Sequence, residues 1–324
     1  MPKVSPSVLI IRLDAIGDAL ALTPSIAALR RHGIAVDVVL RHSNANAFAP
    51  RAVREIVVAG FELRNATRSN VNAVERLGRD LRARQYTHVL VATEDLGGYR
   101  LAAAIGAPTR IGFEDPWTKP LKALWSRRVL TKSVYRSAKL TARSEHESAT
   151  LFKLIAPLAG DEKPTADLAQ LRPLVLESEP APDDRVAVQI TDKWQRLGIT
   201  FESVVDLLRR LAASSELHLI SSRGESAYAR SVERATGIAV SYFDDLPPWK
   251  AAIAAAVALV APDSGAVHVA GMTGTPVVAV FPPMRHYDAW VARWAPWASA
   301  YRVVRADEGW PVRAADALAL LRSI

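Results

Sequence analysis

The chain has 324 residues, no cysteine and a formal net charge of +8. The lack of cysteine excludes disulfides and thiolate metal sites and favours a reducing compartment. No apolar run approaches the roughly 20 residues that a membrane-spanning helix needs. The first residues also lack the apolar core of a signal peptide, so we expect a soluble, cytoplasmic protein. The surplus of positive charge favours an anionic partner: a nucleotide, a nucleic acid or an anionic lipid surface.

The first element is an apolar run at Val8–Leu13, which predicts a strand buried on both faces, as in the centre of a parallel sheet. We interpret residues 14–18 as a loop. Thr23 and Pro24 then read as the cap and the first position of a helix that ends near Arg31. No Gly-x-Gly-x-x-Gly motif follows the strand, which argues against a dinucleotide-dependent dehydrogenase.

Asp18 is the first candidate for chemistry, because it follows the first strand at the edge where open α/β sheets bind their ligands. A carboxylate there could act as a general base, or it could only cap a helix. The sequence around it leaves both readings open. Thr23 weakens the capping reading, because it is the better candidate for that role.

Strands and helices then alternate, with further strands predicted at residues 35–40, 55–58 and 87–92. This alternation predicts a doubly wound parallel sheet. The segment 157–182 is rich in proline and acidic residues and reads as an interdomain linker or a strand-poor crossover, and the alternation restarts at Arg185. We therefore predict two α/β domains, over residues 1–170 and 171–324.

The segment 110–146, which we call the basic stretch, holds nine Lys or Arg and only three Asp or Glu, so it carries most of the net charge. Trp117, Trp125 and Tyr135 lie among these charges. Such a segment could bind single-stranded nucleic acid, a phosphorylated and membrane-borne saccharide, or only solvent. We favour a functional surface because so much charge is concentrated in it.

A short apolar run at Val257–Ala261 predicts a strand, and Asp263, Ser264 and Gly265 supply a turn and a helix cap. The start of the helix that follows has free backbone N–H groups and a partial positive charge, which suit a phosphate or diphosphate. His268 falls in the first turns of this helix. Taken alone, the turn could be only a cap and His268 only a structural histidine.

Four blocks of the sequence resemble the ADP-heptose:lipopolysaccharide heptosyltransferase family. They are residues 8–29 with their Gly17-Asp18 pair, Gly106-Ala-Pro-Thr-Arg-Ile-Gly-Phe113, Asp263-Ser-Gly-Ala-Val-His268 with Gly274–Phe281 after it, and Trp294-Ala-Pro-Trp297. The resemblance implies the GT-B glycosyltransferase fold, with two facing Rossmann-like domains that have parallel sheets. It also implies that the last helix, Val312 to Leu321, packs back onto the N-terminal domain.

The resemblance further implies a role for each of several residues. Asp18 matches the general base of the family, while Asp263, Ser264, Gly265 and His268 match residues that bind the donor diphosphate. Glu225 lies where the family has an acidic residue that reaches the nucleoside. Lys193 matches the donor-binding lysine, with Arg196 as an alternative, and Phe281-Pro-Pro-Met284 stands where the family usually has Phe-Gly-Pro-Thr.

We therefore expect an inverting glycosyltransferase that moves a heptose from ADP-heptose to a lipopolysaccharide inner-core acceptor. The N-terminal domain would bind the acceptor, and the C-terminal domain the nucleotide sugar. We expect no metal and no cofactor, because there is no Asp-x-Asp triplet. The partners would be the ADP-sugar, a phosphorylated glycolipid and the anionic inner face of a membrane. The alternatives are another nucleotide sugar, a protein acceptor or, with less support, a nucleic acid bound by the basic stretch.

Overall fold

A computed structural model describes residues 6–61, 68–137, 139–141, 144–160 and 162–323. The described residues form two compact units. The N-terminal unit contains those up to Thr141 together with Glu147–Thr165, and the C-terminal unit contains those of Ala142–His146 and Ala166–Ile324. Two predictions concern residues outside the described ones. They are the lack of a signal-peptide core, as far as it concerns residues 1–5, and the basic residue Arg143.

The N-terminal unit is an alternation of strands and helices. Its strands are β1 (Ser7–Ile11), β2 (Ala35–Arg41), β3 (Glu55–Ala59), β4 (His88–Val91), β5 (Thr109–Glu114) and β6 (Lys132–Tyr135). Its helices are α1 (Ile16–Leu20), α2 (Thr23–Arg31), α3 (Arg68–Arg82), α4 (Leu96–Ile105), α5 (Pro120–Ser126), α6 (Glu147–Phe152) and α7 (Ala156–Ala159).

The C-terminal unit repeats this plan. Its strands are β7 (Asp183–Gln189), β8 (Leu217–Ser222), β9 (Val240–Phe243), β10 (Ala256–Pro262), β11 (Val277–Phe281) and β12 (Tyr301–Arg305). Its helices are α8 (Leu168–Val175), α9 (Lys193–Arg196), α10 (Phe201–Ala212), α11 (Ser226–Thr236), α12 (Leu246–Ala255), α13 (Gly265–Thr273), α14 (Tyr287–Trp294) and α15 (Trp310–Arg322).

The two sheets have the same strand order. The first runs β3-β2-β1-β4-β5-β6 and the second β12-β11-β10-β7-β8-β9, and all pairings are parallel. In each sheet the chain starts at a central strand, winds outward, and returns to continue on the other side of that strand. The strand order therefore reverses between β1 and β4 and between β7 and β10, where such sheets open a crevice at their carboxyl edge.

The strands form where the sequence predicts them because their apolar residues are continuous. Val8 to Ile11 are at most 1% exposed and Val277 to Phe281 are fully buried, so both faces of these strands are covered by helices. Each unit has its own apolar core, one around Val89 and Leu101 and one around Val188. The predicted α/β class with two Rossmann-like domains and parallel sheets is confirmed.

Three local expectations are wrong. Residues 16–20 are not loop but helix α1, which therefore contains Asp18. Thr23 is the first residue of helix α2 rather than its cap. Its hydroxyl donates to the Leu20 carbonyl at 2.6 Å instead of accepting from a backbone N–H of the helix. The last helix, α15, packs on α10 and on strands of its own unit, where it buries Trp310 and Leu318.

Among the described residues, no helix combines the length and the apolar character needed to cross a bilayer.

Candidate functional site

The N-terminal unit has an open cleft of about 670 Å³ at the carboxyl edge of its sheet. The segments that line it follow β1, β2 and β4, so the cleft lies at the reversal of strand order. Its lining residues are Leu13, Asp14, Ala15, Asp18, Arg41, Ser43, Glu94, Asp95 and Leu96. The cleft is thus a polar concavity with four carboxylates at the place where α/β sheets bind ligands.

Asp18 lies in this cleft with its side chain 24% exposed. One carboxylate oxygen accepts from the Arg12 guanidinium at 2.8 Å, and the other accepts from the Ala15 backbone N–H at 3.1 Å. The second bond links Asp18 to the residue before helix α1, so it also helps to cap that helix. The capping and chemical readings of Asp18 are therefore compatible, since the carboxylate remains accessible from the cleft.

Arg12 is a buried cation surrounded by carboxylates. It is 1% exposed, and its Nη2 lies 3.2 Å from a Glu147 oxygen in addition to Asp18. Its Nε is 3.5 Å from Asp14. Glu147 itself is fully buried and is also bound by Arg136 at 2.7 Å. A chain of alternating charges thus runs from the cleft into the unit, and every buried charge in it has a partner.

The pKa of Asp18 is raised above the ordinary aspartate value. Burial is the largest cause, and the charges of Asp14 and Glu147 act in the same direction, while the Arg12 guanidinium opposes them. A raised carboxyl pKa makes the ionised form a stronger base. The arrangement therefore suits proton acceptance by Asp18.

The C-terminal unit presents the start of helix α13 at the carboxyl edge of its sheet. Ser264 occupies the N-cap position, but its side chain does not cap the helix, contrary to expectation. The Ser264 hydroxyl is buried without a hydrogen-bond partner among the described residues, and so is the Trp294 indole N–H. Asp263 is 8% exposed and accepts from the Trp290 indole at 2.9 Å. Buried polar groups without partners are rare and point to a ligand or water.

His268 is buried one turn into α13 and packs edge-on against Trp294, with 5.7 Å between the ring centroids. Burial lowers the pKa of His268 to about 3, and the charges of His146 and Lys193 add to this. The imidazole is therefore neutral near pH 7. It can donate one hydrogen bond to an anion, but it contributes no positive charge.

Lys193 and Arg196 have different surroundings. Arg196 is 64% exposed and pairs with Asp192 at 2.6 Å, with Glu225 3.7 Å away. Lys193 has no ion pair among the described residues, and its charge acts on His268. Glu225 accepts from the Thr191 hydroxyl at 2.8 Å, and its pKa is raised, mainly by burial.

The predicted residues fall into two sets. Lys193, Glu225 and the segment 263–268 follow β7, β8 and β10 at one edge of the C-terminal sheet. Asp18 follows β1 at the corresponding edge of the N-terminal sheet. Within the described chain, no group of three or more His, Cys, Asp or Glu side chains is arranged to hold a metal ion.

Sequence reasoning missed the residues that hold these groups in place. They are Arg12, Glu147, Arg136 and Trp290. One signal was available, since Arg12 is a charge inside an otherwise apolar run, and such a charge needs a buried partner. That the partner is Glu147, 135 positions away, was not visible.

The family model for glycosyltransferase family 9 (heptosyltransferase) matches residues 244–316, which include Asp263–His268. No curated protein matches the chain by sequence. The chain is similar in structure to Escherichia coli heptosyltransferase WaaC with ADP (TM-score 0.71, 16% identity, covering 97% of this chain and 99% of that one). It is also similar to E. coli ADP-heptose lps heptosyltransferase II (TM-score 0.70, 16% identity, 98% of each chain).

A third similar structure is the glycosyl transferase family 9 protein from Veillonella parvula DSM 2008 (TM-score 0.71, 16% identity, 94% of this chain and 87% of that one). These similarities extend over nearly the whole chain, far beyond the region that the family model matches. At 16% identity the structural similarities show the fold. The family model, which matches residues 244–316, indicates the class of reaction. Together they confirm the resemblance to the heptosyltransferase family and identify the chain as a glycosyltransferase with the GT-B fold.

Proposed function

We propose that the chain transfers a heptose from ADP-heptose to a phosphorylated glycolipid acceptor of the lipopolysaccharide inner-core type. The proposal of an ADP-linked donor rests on the start of α13. The Ser264 hydroxyl and the Trp294 N–H are buried there without partners among the described residues. A diphosphate would accept hydrogen bonds from such donors and from the free backbone N–H groups of the helix. The similar WaaC structure contains ADP.

The C-terminal unit would bind the donor, and the N-terminal unit the acceptor. Lys193 would neutralise the diphosphate, because Arg196 already pairs with Asp192. Neutral His268 would donate a hydrogen bond to the same diphosphate. Glu225 would accept from the nucleoside, as Thr191 now donates to it.

The reaction would be a direct displacement. The acceptor hydroxyl oxygen attacks the anomeric carbon, its proton passes to the Asp18 carboxylate, and the bond from that carbon to the diphosphate breaks to release ADP. Configuration at the anomeric carbon inverts because attack and departure occur on opposite faces. The donors at α13 stabilise the charge that develops on the departing diphosphate.

The acceptor is membrane-borne in this proposal, so the chain would act peripherally at an anionic membrane surface on the cytoplasmic side. The basic stretch supplies the attraction. Several of its cations are paired within the unit, Arg127 with Glu114 and Arg136 with Glu147. Arg128, Lys132 and Lys139 remain exposed. We favour a lipid surface over a single-stranded nucleic acid because exposed leucines lie among these cations, Leu121 at 83% and Leu124 at 61%, and leucine offers bases no stacking surface.

The donor assignment can be tested with Gly265→Asp, which places a carboxylate at the start of α13. We expect ADP binding, measured by calorimetry, to weaken at least roughly tenfold, because the carboxylate repels the diphosphate and fills the approach to the backbone N–H groups. Gly60→Asp is the matched control, since nothing lies within 4 Å of a side chain added there. Equal ADP affinity in Gly265→Asp and the parent would refute the donor site.

A thermal-shift comparison of nucleotide sugars then tests which sugar is transferred. We expect ADP-heptose to raise the melting temperature more than UDP- or dTDP-linked sugars do. A larger shift with another ADP-sugar would favour the second candidate, a transferase of the same fold with a different donor. The Phe281-Pro-Pro-Met284 segment, which follows β11 at the same sheet edge, is the specific observation behind that candidate.

A further inference from the structure

The N-terminal unit exposes an apolar surface on helix α5 and the turn before it. Trp117 is 82% exposed, Leu121 83% and Leu124 61%. Single exposed apolar side chains are ordinary on a protein surface, but three large ones within eight positions are not. We call these three residues the apolar face of α5.

The geometry of α5 explains why this face is uncovered. Its buried residues, Ala123 and Ser126, are three positions apart and face the unit. Leu121 and Leu124 have the same spacing and therefore share the opposite side of the helix. Burying small residues inward and exposing leucines outward reverses the usual pattern of a surface helix. This pattern fits a helix whose outer side meets another apolar phase.

The turn that carries Trp117 is fixed rather than loose. The buried Asp115 accepts from the backbone N–H groups of Trp117 at 3.2 Å and Thr118 at 3.0 Å. Lys119 then donates its backbone N–H to the Asp115 carbonyl at 3.0 Å, directly before the helix. The backbone that carries the indole is thus held in place, so its insertion would cost little conformational freedom of the turn.

The charges nearby identify what would cover the face. Arg128 lies two residues beyond the end of α5 and is exposed, and Lys132 is exposed on β6, the edge strand of the sheet. Tyr135, on the same strand, is 55% exposed. Trp and Tyr favour the headgroup layer of a bilayer, leucines favour its acyl chains, and Lys and Arg bind anionic headgroups.

We propose that the apolar face of α5 inserts into the interface of an anionic lipid bilayer, with Arg128 and Lys132 on the headgroups. A second copy of the chain fits less well, because each copy would bring the same cations and a net charge of +8. A nucleic acid also fits less well, because leucines offer bases no stacking surface. The inference rests on the proposed membrane-borne acceptor for its purpose, but none of the three residues of the apolar face lines the cleft that contains Asp18.

The attraction between charges and the burial of the apolar face respond differently to salt. Attraction between exposed charges is screened over about 8 Å at physiological ionic strength and fades as salt rises. Burial of apolar side chains in lipid does not fade in this way. An inserted face therefore predicts a part of the membrane binding that survives high salt.

The test is cosedimentation with vesicles of phosphatidylcholine mixed equally with phosphatidylglycerol, at low salt and at about 1 M salt. The variant is Leu121→Gln combined with Leu124→Gln, which keeps good helix formers. We expect its partition coefficient at high salt to be lower than the parent's by at least roughly tenfold. Leu320→Gln, at a leucine that is 57% exposed on α15, is the matched control and should bind as the parent does.

Brominated lipids identify the inserted ring, because they quench tryptophan fluorescence only at short range. Trp117→Phe should remove most of the quenching seen in the parent, although seven of the eight tryptophans remain. Equal high-salt binding by the double leucine variant and the parent would overturn the proposal. So would a concentration-dependent dimer, seen in sedimentation velocity, that the same variant abolishes.

The outcome is separable from that of the proposed function. The leucine variants lie outside the candidate site, so sugar transfer to a short, water-soluble acceptor should be unchanged in them. A chain that binds vesicles through α5 but transfers no heptose would refute only the proposed function. A chain that transfers heptose yet shows no salt-resistant binding would refute only the inserted face.

Discussion

At the scale of single residues, the N-terminal cleft depends on how one buried cation is shared. Arg12 is in contact with both Asp18 and Glu147, and Arg136 holds Glu147 from the other side. Asp18 lines the cleft, as does Asp14, whose carboxylate lies 3.5 Å from the Arg12 Nε, whereas Glu147 is fully buried. Asp18 can therefore exchange a proton with a bound molecule, while Glu147 balances the charge behind it.

Replacing Asp18 by Asn separates chemistry from structure. The amide oxygen can still accept from the Ala15 N–H, but the side chain cannot take a proton at neutral pH. We expect turnover to fall by roughly two to four orders of magnitude, with ADP affinity hardly changed, because the proposed donor residues are in the other unit. Asp14→Asn, which changes the neighbouring carboxylate of the cleft, is the control.

A pure capping role would give another result. The Asn variant would then lose about 1 kcal/mol of stability or less and would transfer sugar at nearly the parent rate, in which case Asp14 becomes the candidate base. The pH profile adds a second check. Since the pKa of Asp18 is raised, the acid-side loss of turnover in the parent should occur above the ordinary aspartate range.

His268 makes a prediction about acid stability. Its pKa falls from 6.5 to about 3 in the folded chain, so the folded state binds this proton less tightly than the unfolded state. The free energy of unfolding is therefore unaffected by this group above the pKa of His268 in the unfolded chain, and it decreases as pH falls below that pKa. His268→Gln removes this term and should reduce the acid sensitivity between pH 7 and 5 by on the order of 1–2 kcal/mol.

The measurement is urea unfolding of parent and variant at each pH. Near pH 8 the His268 ring of the parent is neutral in both the folded and the unfolded state, so the difference from the variant there reports only lost packing against Trp294 and serves as the internal control. An identical pH dependence for both proteins would show that His268 is not held neutral by burial.

At the scale of elements, the position of α13 depends on one close approach. A side chain added at Gly271 would lie 2.8 Å from the Trp297 nitrogen and 3.1 Å from the Pro296 Cα. The Ala298 N–H also donates to the Gly271 carbonyl at 2.9 Å. The lack of a side chain therefore lets the segment 294–297, with Trp294 against His268, lie directly on the helix.

Gly271→Ala should consequently destabilise the chain by about 1–3 kcal/mol, even though alanine favours a helix more than glycine does. Backbone atoms cannot move aside as a flexible side chain can, so ADP affinity should fall together with stability. Gly224→Ala is the control, since its nearest neighbour would be the Ser222 hydroxyl at 3.9 Å. A melting temperature equal to that of the parent in Gly271→Ala would contradict this account.

The elements also show how far the sequence could predict the fold and the site. The strand predicted at Val8–Leu13 is observed at Ser7–Ile11, because a continuous apolar run is a strong signal. Helix α1 was missed because five residues are too few for a helical period to appear. The place of Asp18 beyond the carboxyl end of β1 followed from local order. Its partner Arg12 and their shared neighbour Glu147 depend on tertiary packing, which no local pattern encodes.

At the scale of the whole molecule, the two units share one strand order, and the predicted residues lie at the same edge of each sheet. Asp18 follows the first strand of one sheet, and Lys193 follows the first strand of the other. In each unit the loops that follow the central strands carry the polar side chains, while the strands themselves are apolar. The binding residues of either unit could therefore change without altering the core beneath them.

The return of residues 147–165 to the N-terminal unit has a consequence for synthesis on the ribosome. The six strands of that unit are complete once Tyr135 has left the exit tunnel, but Glu147 has not yet emerged. Until it does, Arg12 has one buried acidic partner fewer, and burying it remains unfavourable. We expect a stalled chain that exposes residues 1–141 to be cleaved readily by protease, whereas one that exposes 1–165 resists cleavage. Equal resistance of the two would show that the unit closes before Glu147 arrives.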